Sequence, residues 1–164
     1  MRTIIGVMGG AFVDEAVAAS AYELGRLVAE NGWVLLNGGR DAGVMRASAR
    51  GAGDAGGLVV GILPSDDTKG VAPWVDVAIP TGMGDARNAI NVLASHVVVA
   101  LAGGPGTVSE IALALKSGRN VVLLGFPLGV PFDSFYESGQ LVDAETPHEA
   151  IDCVARFLEH QGRA

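Results

Sequence analysis

Short apolar segments alternate with amphipathic segments along almost the whole chain. The apolar segments are apolar throughout, which is typical of parallel strands in a sheet that is covered on both faces. We predict strands at residues 3–8, 33–36, 58–63, 75–79, 97–101 and 120–124. The predicted helices cover residues 14–31, 43–55 and 85–95, a segment that ends at Gly118, and a last segment that begins at 146. The pattern predicts a doubly wound α/β fold, with a mostly parallel sheet of about six or seven strands, helices on both faces, and one domain over residues 1–164.

Composition and charge exclude several other classes of protein. Apolar residues make up 49% of the chain and charged residues 18%, which excludes an intrinsically disordered protein. No apolar stretch approaches the roughly 18 residues of a membrane helix, and the first 30 residues lack the pattern of a secretory signal. We therefore expect a cytoplasmic protein with no membrane partner. A net charge of −7 argues against a nucleic-acid polymer as partner, whereas a small anionic ligand is compatible with it.

Cysteine and histidine usage argues against a metal centre. Cys153 is the only cysteine of the sequence, so there is no intrachain disulfide or thiolate cluster, and we expect it to be a buried small residue. The three histidines, His96, His148 and His160, are scattered without ligand spacing. Metal binding is therefore not predicted, and His96 is expected to have a structural role at the start of a buried strand.

Glycine marks the predicted edge at which a ligand could bind. It accounts for 24 of the 164 residues, about twice its ordinary frequency. Three predicted strands end in a glycine pair that precedes a helix, namely Gly9-Gly10, Gly38-Gly39 and Gly103-Gly104. These turns should lie along the carboxyl edge of the sheet, where open α/β sheets bind ligands and bare backbone suits a phosphate. The alternative is that tight strand-to-helix turns need glycine for their own geometry. Complete dinucleotide-binding and P-loop motifs are absent.

The sequence GGPGTVSE at residues 103–110 is the sharpest local motif. Thr107 and Glu110 have the spacing of a capping box, which gives Glu110 a structural interpretation. The functional interpretation places Glu110 in the first turn of a helix that faces the cleft, where the helix dipole favours its ionised form. The loop that would hold a phosphate beside it consists of Gly103, Gly104, Gly106 and Thr107.

A second cluster, TGMGDARN at residues 81–88, also lies where a predicted strand leads into a helix. Arg87 falls in the first helical turn, where a cation opposes the helix dipole, so a bidentate contact to an anionic ligand would explain it. An exposed arginine without a role is the alternative. Asp85 fits the N-cap of this helix better than a second catalytic carboxylate. The remaining candidate ligand contacts are Arg40, Gly82, Met83 and Asp85 itself.

Residues 103–107 with Glu110 resemble the PGGxGTxxE signature of the Lonely guy family. Members of that family were long labelled possible lysine decarboxylases, and several are cytokinin nucleoside 5′-monophosphate phosphoribohydrolases. The segment 38–45 is similar to the family's second glycine turn. Residues 81–88 and SEIALALK at 109–116 are most similar to the branch that includes the molybdenum cofactor carrier protein. The resemblance implies a Rossmann-like nucleotide-binding domain that forms a homo-oligomer, a dimer or a tetramer. Ala102 and Asn88 stand where the hydrolases have a proline and a lysine.

The resemblance implies two alternative functions, neither of which requires a separate cofactor. In the first, the protein hydrolyses the N-glycosidic bond of a nucleoside 5′-monophosphate, with Glu110 and Arg87 as catalytic residues and Glu110 stabilising a transition state of oxocarbenium character. In the second, it is a carrier or sensor of the molybdenum cofactor or of another phosphorylated ligand. Pyridoxal phosphate chemistry is excluded, because it needs a lysine for its Schiff base and neither Lys69 nor Lys116 lies at the glycine-turn edge.

Residues 126–140 form a less regular segment that carries four of the nine aromatic side chains. We consider an interface, a lid, and simple packing on the edge of the domain as its role.

Overall fold

The structure, a computed structural model, describes residues 1–128 and 132–161. Seven strands form one sheet in the order β4-β3-β2-β1-β5-β6-β7, and every neighbouring pair is parallel. The strands are β1 Ile4–Met8, β2 Val34–Asn37, β3 Val59–Leu63, β4 Val77–Pro80, β5 Val97–Ala100, β6 Asn120–Leu124 and β7 Leu141–Ala144. The helices are α1 Glu15–Glu30, α2 Gly43–Asp54, α3 Asn88–Ala94, α4 Pro105–Lys116, α5 Asp133–Glu137 and α6 Pro147–Gln161, with a 3₁₀ helix at Gly84–Arg87. The predicted doubly wound, Rossmann-like α/β fold is confirmed.

Side chains of the central strands alternate between two buried layers, because successive residues of a strand point to opposite faces. Ile5 and Val7 of β1 pack under α1, α2 and α6, whereas Met8 packs on the opposite face with α3 and α4. In β5, Val97 and Val99 belong to the first layer, and Val98 and Ala100 to the second. Burial on both faces explains why these strands are apolar throughout in the sequence.

Helices α1 and α2 pack closely against each other through glycine. A Cβ at Gly25 would overlap the backbone carbonyl of Ser48, and a Cβ at Gly51 would overlap that of Tyr22. The glycine content of α2 thus lets it approach the neighbouring helix closely.

The irregular segment 126–140 is more ordered than predicted. It contains α5, and β7 follows it as an edge strand paired in register with β6, Val121 opposite Leu141. Four residues that include the exposed Asp143 are too few and too polar to be recognised as a strand from sequence. Its aromatic side chains pack, partly buried, against the second core layer, which corresponds to packing on the edge of the domain; they are Phe126, Phe132, Phe135 and Tyr136. Residues 129–131 lie outside the described residues.

Strand β4 begins at Val77, two residues later than predicted. The residues before it are held in a turn, in which the Val75 N–H donates to the Ala72 carbonyl and the Asp76 carboxylate accepts from the Val59 N–H. If β4 began earlier, its backbone would pair with the Val59 N–H. The Asp76 side chain occupies this group instead.

Capping contacts and a glycine mark two of the helix ends. The Thr146 hydroxyl accepts from the Glu149 N–H at 3.2 Å, and the Glu149 carboxylate accepts from the Thr146 N–H at 3.3 Å, so the capping box at α6 is formed. Gly32 follows α1 with a φ of 71°, the left-handed conformation in which glycine commonly ends a helix. Cys153 is a buried free cysteine. None of the helices within residues 1–128 and 132–161 is both long and apolar enough to cross a membrane.

Strand order creates a crevice at one point of the carboxyl edge. The chain builds β1 to β4 outward in one direction and then returns to place β5 on the other side of β1. The connections that leave β1 and β5 therefore diverge, which is the arrangement that opens ligand crevices in α/β sheets.

Candidate functional site

A cavity of about 210 Å³ opens at the carboxyl ends of β1, β2 and β5. All three glycine turns contribute to its wall, through Gly9, Gly10, Gly38, Gly104 and Gly106. The prediction that these turns share one edge of the sheet is therefore confirmed in the fold.

Close backbone contacts hold the first glycine turn against its neighbours. The Gly10 N–H donates to the Ala102 carbonyl at 3.0 Å, and the Val44 N–H donates to the Gly10 carbonyl at 3.0 Å. A Cβ at Gly9 would meet the Val44 side chain, and one at Gly10 would lie 3.3 Å from Gly103. Glycine is needed here because the backbones of the turns approach one another.

Bare backbone at the start of α4 faces open space. The helix begins at Pro105, with Gly104 as its N-cap and no side-chain cap. A Cβ at Gly104 or Gly106 would meet nothing within 4 Å, so a ligand can approach this helix end closely. The first N–H groups of a helix have no partner within it and carry the positive end of its dipole, which suits an anion.

The expected capping box at Thr107 and Glu110 is not formed. Because proline sets the first helical residue at 105, Thr107 lies inside the first turn and Glu110 lies one turn further on. The Thr107 hydroxyl instead packs against Gly103, where a Cβ would overlap it. The Glu110 carboxylate accepts a hydrogen bond from the side chain of Asn91 at 2.9 Å.

Glu110 is a buried carboxylate at the floor of the cavity. Its side chain is 9% exposed, and its Oε1 lies 3.8 Å from Nη1 of Arg87. Burial raises the pKa of Glu110 above its usual value, against the lowering effects of the Asn91 hydrogen bond and the Arg87 charge. The expectation that the helix dipole favours the ionised form is thus outweighed by desolvation.

Arg87 is largely enclosed, which excludes the alternative of an exposed arginine. It ends the 3₁₀ helix, and its side chain is 11% exposed. The guanidinium lies over Gly38, where a Cβ would be 2.8 and 2.9 Å from its two Nη atoms. Its Nε has no hydrogen-bond partner among the described residues. Burial lowers the pKa of Arg87, and the charge of Glu110 opposes this effect. The guanidinium is therefore a donor with unused hydrogen-bonding capacity beside the cavity.

Asp85 lines the cavity but is not a helix cap. The 3₁₀ helix already includes Gly84, so the predicted N-cap role of Asp85 is wrong. Its carboxylate favours the charged form of Arg87.

Five other candidates lie outside the cavity lining. Gly39 is buried with a φ of 71° and packs against β3. Gly103 packs closely against the Gly10 backbone and the Thr107 side chain. Arg40 is exposed, and its charge lowers the pKa of Arg87. Gly82 and Met83 are exposed in the loop before the 3₁₀ helix.

The cavity includes residues that the sequence analysis missed, namely Val7, Met8, Ala11, Met45 and Asn88. Asn91 was also missed, although it is fully buried and bonded to Glu110. Its position four residues after Arg87 and three after the buried Asn88, on one side of the helical segment, was the available signal.

Residues 1–128 and 132–161 contain no group of three His, Cys, Asp or Glu side chains that could hold a metal ion. His96 accepts a hydrogen bond from the Ile4 N–H through Nδ1 at 3.1 Å, which is a structural contact between β1 and the start of β5.

Comparison with known proteins identifies the relatives of this chain. The model of the family described as LDcluster4: SLOG cluster4 family matches residues 2–151. An uncharacterized protein of Archaeoglobus fulgidus is 45% identical over 156 residues, which cover 94% of this chain and 97% of that protein.

Solved structures with the same fold include proteins with a described ligand. The molybdenum cofactor binding protein of Rippkaea orientalis is 44% identical with a TM-score of 0.88, over 96% of this chain and 98% of that one. The molybdenum cofactor carrier protein of Chlamydomonas reinhardtii is 42% identical with a TM-score of 0.89, over 97% of this chain and 99% of that one. DNA processing protein A of Helicobacter pylori, at 19% identity and a TM-score of 0.69, shares the fold.

Proposed function

This chain belongs to the SLOG cluster4 family, and we propose that it is a carrier that binds the molybdenum cofactor, a phosphorylated pterin, in the cavity between β1 and β5. The observation that carries this proposal is the likeness, over nearly the full length of both chains, to molybdenum cofactor binding and carrier proteins at 42–44% identity. The cofactor is the cargo of the protein, and the protein's own residues supply its binding site.

The start of α4 suits the phosphate of this ligand. Gly104 and Gly106 leave the backbone bare on the cavity side, and the helix end offers N–H groups to an anion. Arg87 supplies a second set of donors from the opposite wall, with its Nε unpaired. A phosphate between these two walls would receive both backbone and guanidinium hydrogen bonds.

In the carrier, Glu110 has a positioning role. Asn91 and Arg87 both approach Oε1, so this oxygen is held in place. The carboxylate keeps the guanidinium of Arg87 near the cavity while no anion is bound. It can also accept hydrogen bonds from ligand hydroxyl or N–H groups.

Hydrolysis of a nucleoside 5′-monophosphate is the second candidate function. The observation that favours it is the pair formed by Glu110 and Arg87, because a carboxylate beside the anomeric carbon can stabilise the positive charge of the transition state. Both functions use the same phosphate site, and they differ in the ligand that is bound and in whether it is cleaved.

Direct binding and turnover measurements distinguish the two functions. Purified protein is titrated with molybdopterin and, separately, with AMP and GMP, and each mixture is then assayed for released base. The carrier predicts saturable molybdopterin binding without base release, weakened about 10-fold or more by Arg87→Ala and unchanged by Arg156→Ala, an exposed arginine on α6. Base release that Glu110→Gln abolishes would instead establish the hydrolase. Absence of binding and of base release with all three compounds would refute both.

A further inference from the structure

The cavity is smaller than the ligand that it is proposed to hold. Its volume is about 210 Å³, whereas pockets for cofactor-sized ligands measure roughly 300–1,000 Å³. With the phosphate placed between the start of α4 and Arg87, as proposed above, the rest of the ligand must extend beyond these walls. The direction of this extension decides which residues recognise the ring system.

A second groove adjoins the cavity at Ala11, which lines both. This groove has a volume of about 490 Å³ and lies between the N-terminal halves of α1 and α2. Phe12, Val13 and Tyr22 give it apolar walls. A ligand whose phosphate occupies the cavity can therefore continue over Ala11 into a largely apolar cleft.

Both arginines of the groove, Arg46 and Arg50, have acidic partners. Arg46 makes two hydrogen bonds to the Asp41 carboxylate, at 2.6 and 2.8 Å. Arg50 pairs with Asp54 at 3.5 Å and lies 5.7 Å from the ring centre of Tyr22. Because its arginines already have acidic partners, the groove suits an uncharged ring better than a second phosphate.

Phe12 is an apolar residue of this wall that does not pack into the core. Its side chain is 99% exposed, although it follows a turn whose backbone is fixed by the Gly10 contacts. A single exposed apolar side chain is common on protein surfaces. This one, however, stands on a rigid turn at the junction of two concave surfaces, where it can rotate onto a bound planar group.

From these observations we infer that the groove is the subsite for the planar nitrogen heterocycle of the phosphorylated ligand, and that Phe12 stacks on this ring. This inference rests on the proposed function, since it needs the phosphate to occupy the cavity. It makes Phe12 a specificity-determining residue that separates ligands with a ring from simple sugar phosphates. Stacking of a base on an aromatic side chain changes affinity by about 5- to 150-fold.

The test compares ligands with and without a ring. Dissociation constants are measured by calorimetry for molybdopterin, AMP and ribose 5-phosphate with the wild type, Phe12→Ala and Phe12→Tyr. Leu93→Ala, which removes an exposed apolar side chain on α3, is the matched control. We expect Phe12→Ala to raise the dissociation constant about 5-fold or more for whichever ringed ligand the wild type binds more tightly. Binding of ribose 5-phosphate should be unchanged, and Phe12→Tyr and Leu93→Ala should behave as wild type.

Four results would overturn the inference. Equal weakening of all ligands by Phe12→Ala would show that the turn only shapes the phosphate site, and unchanged affinity for the ringed ligand would show that no ring stacks there. If the wild type bound ribose 5-phosphate but neither ringed ligand, the ring subsite would be refuted, and the phosphate site would still be supported. If the wild type bound none of the three compounds, the proposed function would fail and this inference with it.

Discussion

Substitution of Gly38 by alanine tests the position of Arg87 without removing its charge. The new Cβ would lie 2.8 and 2.9 Å from the two Nη atoms and 2.7 Å from the sulfur of Met45. Ordinary contacts of a carbon atom begin near 3.5 Å, so the guanidinium must retreat by about 0.6 Å or more. Both groups are the ends of flexible side chains, and φ of Gly38 is not in the left-handed region. The strain therefore falls on the site more than on the fold.

The expected effect on binding follows from the hydrogen bonds of a charged group. Such bonds contribute about 1.5–3 kcal/mol, so displacement of Arg87 should lower the affinity for a phosphorylated ligand by about 10- to 150-fold. The cost to folding should be about 1 kcal/mol, partly offset by the lower entropy of the unfolded chain, which corresponds to a fall in Tm of about 2–4 °C.

Gly53→Ala is the matched control for this substitution. Its Cβ would lie 2.8 Å from Cδ1 of Trp74, a similar contact at the far end of α2. We expect a comparable change in Tm with no change in affinity. Calorimetric titration with molybdopterin and AMP, together with thermal unfolding of each variant, supplies both quantities. If Gly38→Ala is folded and binds as tightly as the wild type, Arg87 does not contact the anion and the argument from its unpaired Nε is refuted.

Two further predictions concern stability. Because burial raises the pKa of Glu110 in the folded state, the protein should lose stability as pH rises through that pKa. Asn91→Ala removes the hydrogen-bond donor to this carboxylate, so it should lower the free energy of unfolding by about 1–3 kcal/mol. In urea denaturation, the loss should be larger at pH 8 than at pH 5. Asn88→Ala should show no such pH dependence, and an equal loss at both pH values for Asn91→Ala would contradict the role assigned to it. The Cβ of Gly51→Ala would overlap a backbone carbonyl of α1, so this variant should destabilise the protein by about 1–3 kcal/mol. The Cβ of Gly106→Ala points into open space, so this control should change the free energy of unfolding by less than about 1 kcal/mol. Similar values for the two variants would show that α1 and α2 separate at little cost.

Capping shows how far local patterns predict the site. The same type of motif occurs at Thr146 and Glu149, where the box is formed, and at Thr107 and Glu110, where it is not. The difference lies in the start of the helix, because Pro105 begins α4 two residues before Thr107 and carries Glu110 out of the first turn. Motif spacing alone does not specify which residue is the cap.

The sequence by itself determined the layers of the fold and the edge that holds the cavity. Strands buried on both faces are necessarily apolar, and turns in which backbones approach one another need glycine, so both features are written in local residue types. Tertiary structure alone decided the chemistry of the cavity. Arg87, Asn91 and Glu110 come from different helices, and their contact depends on how α3 and α4 pack on the sheet. Burial then raises the pKa of Glu110, although the helix dipole favours its ionised form. Desolvation depends on everything that surrounds the carboxylate and not only on its neighbours in the chain.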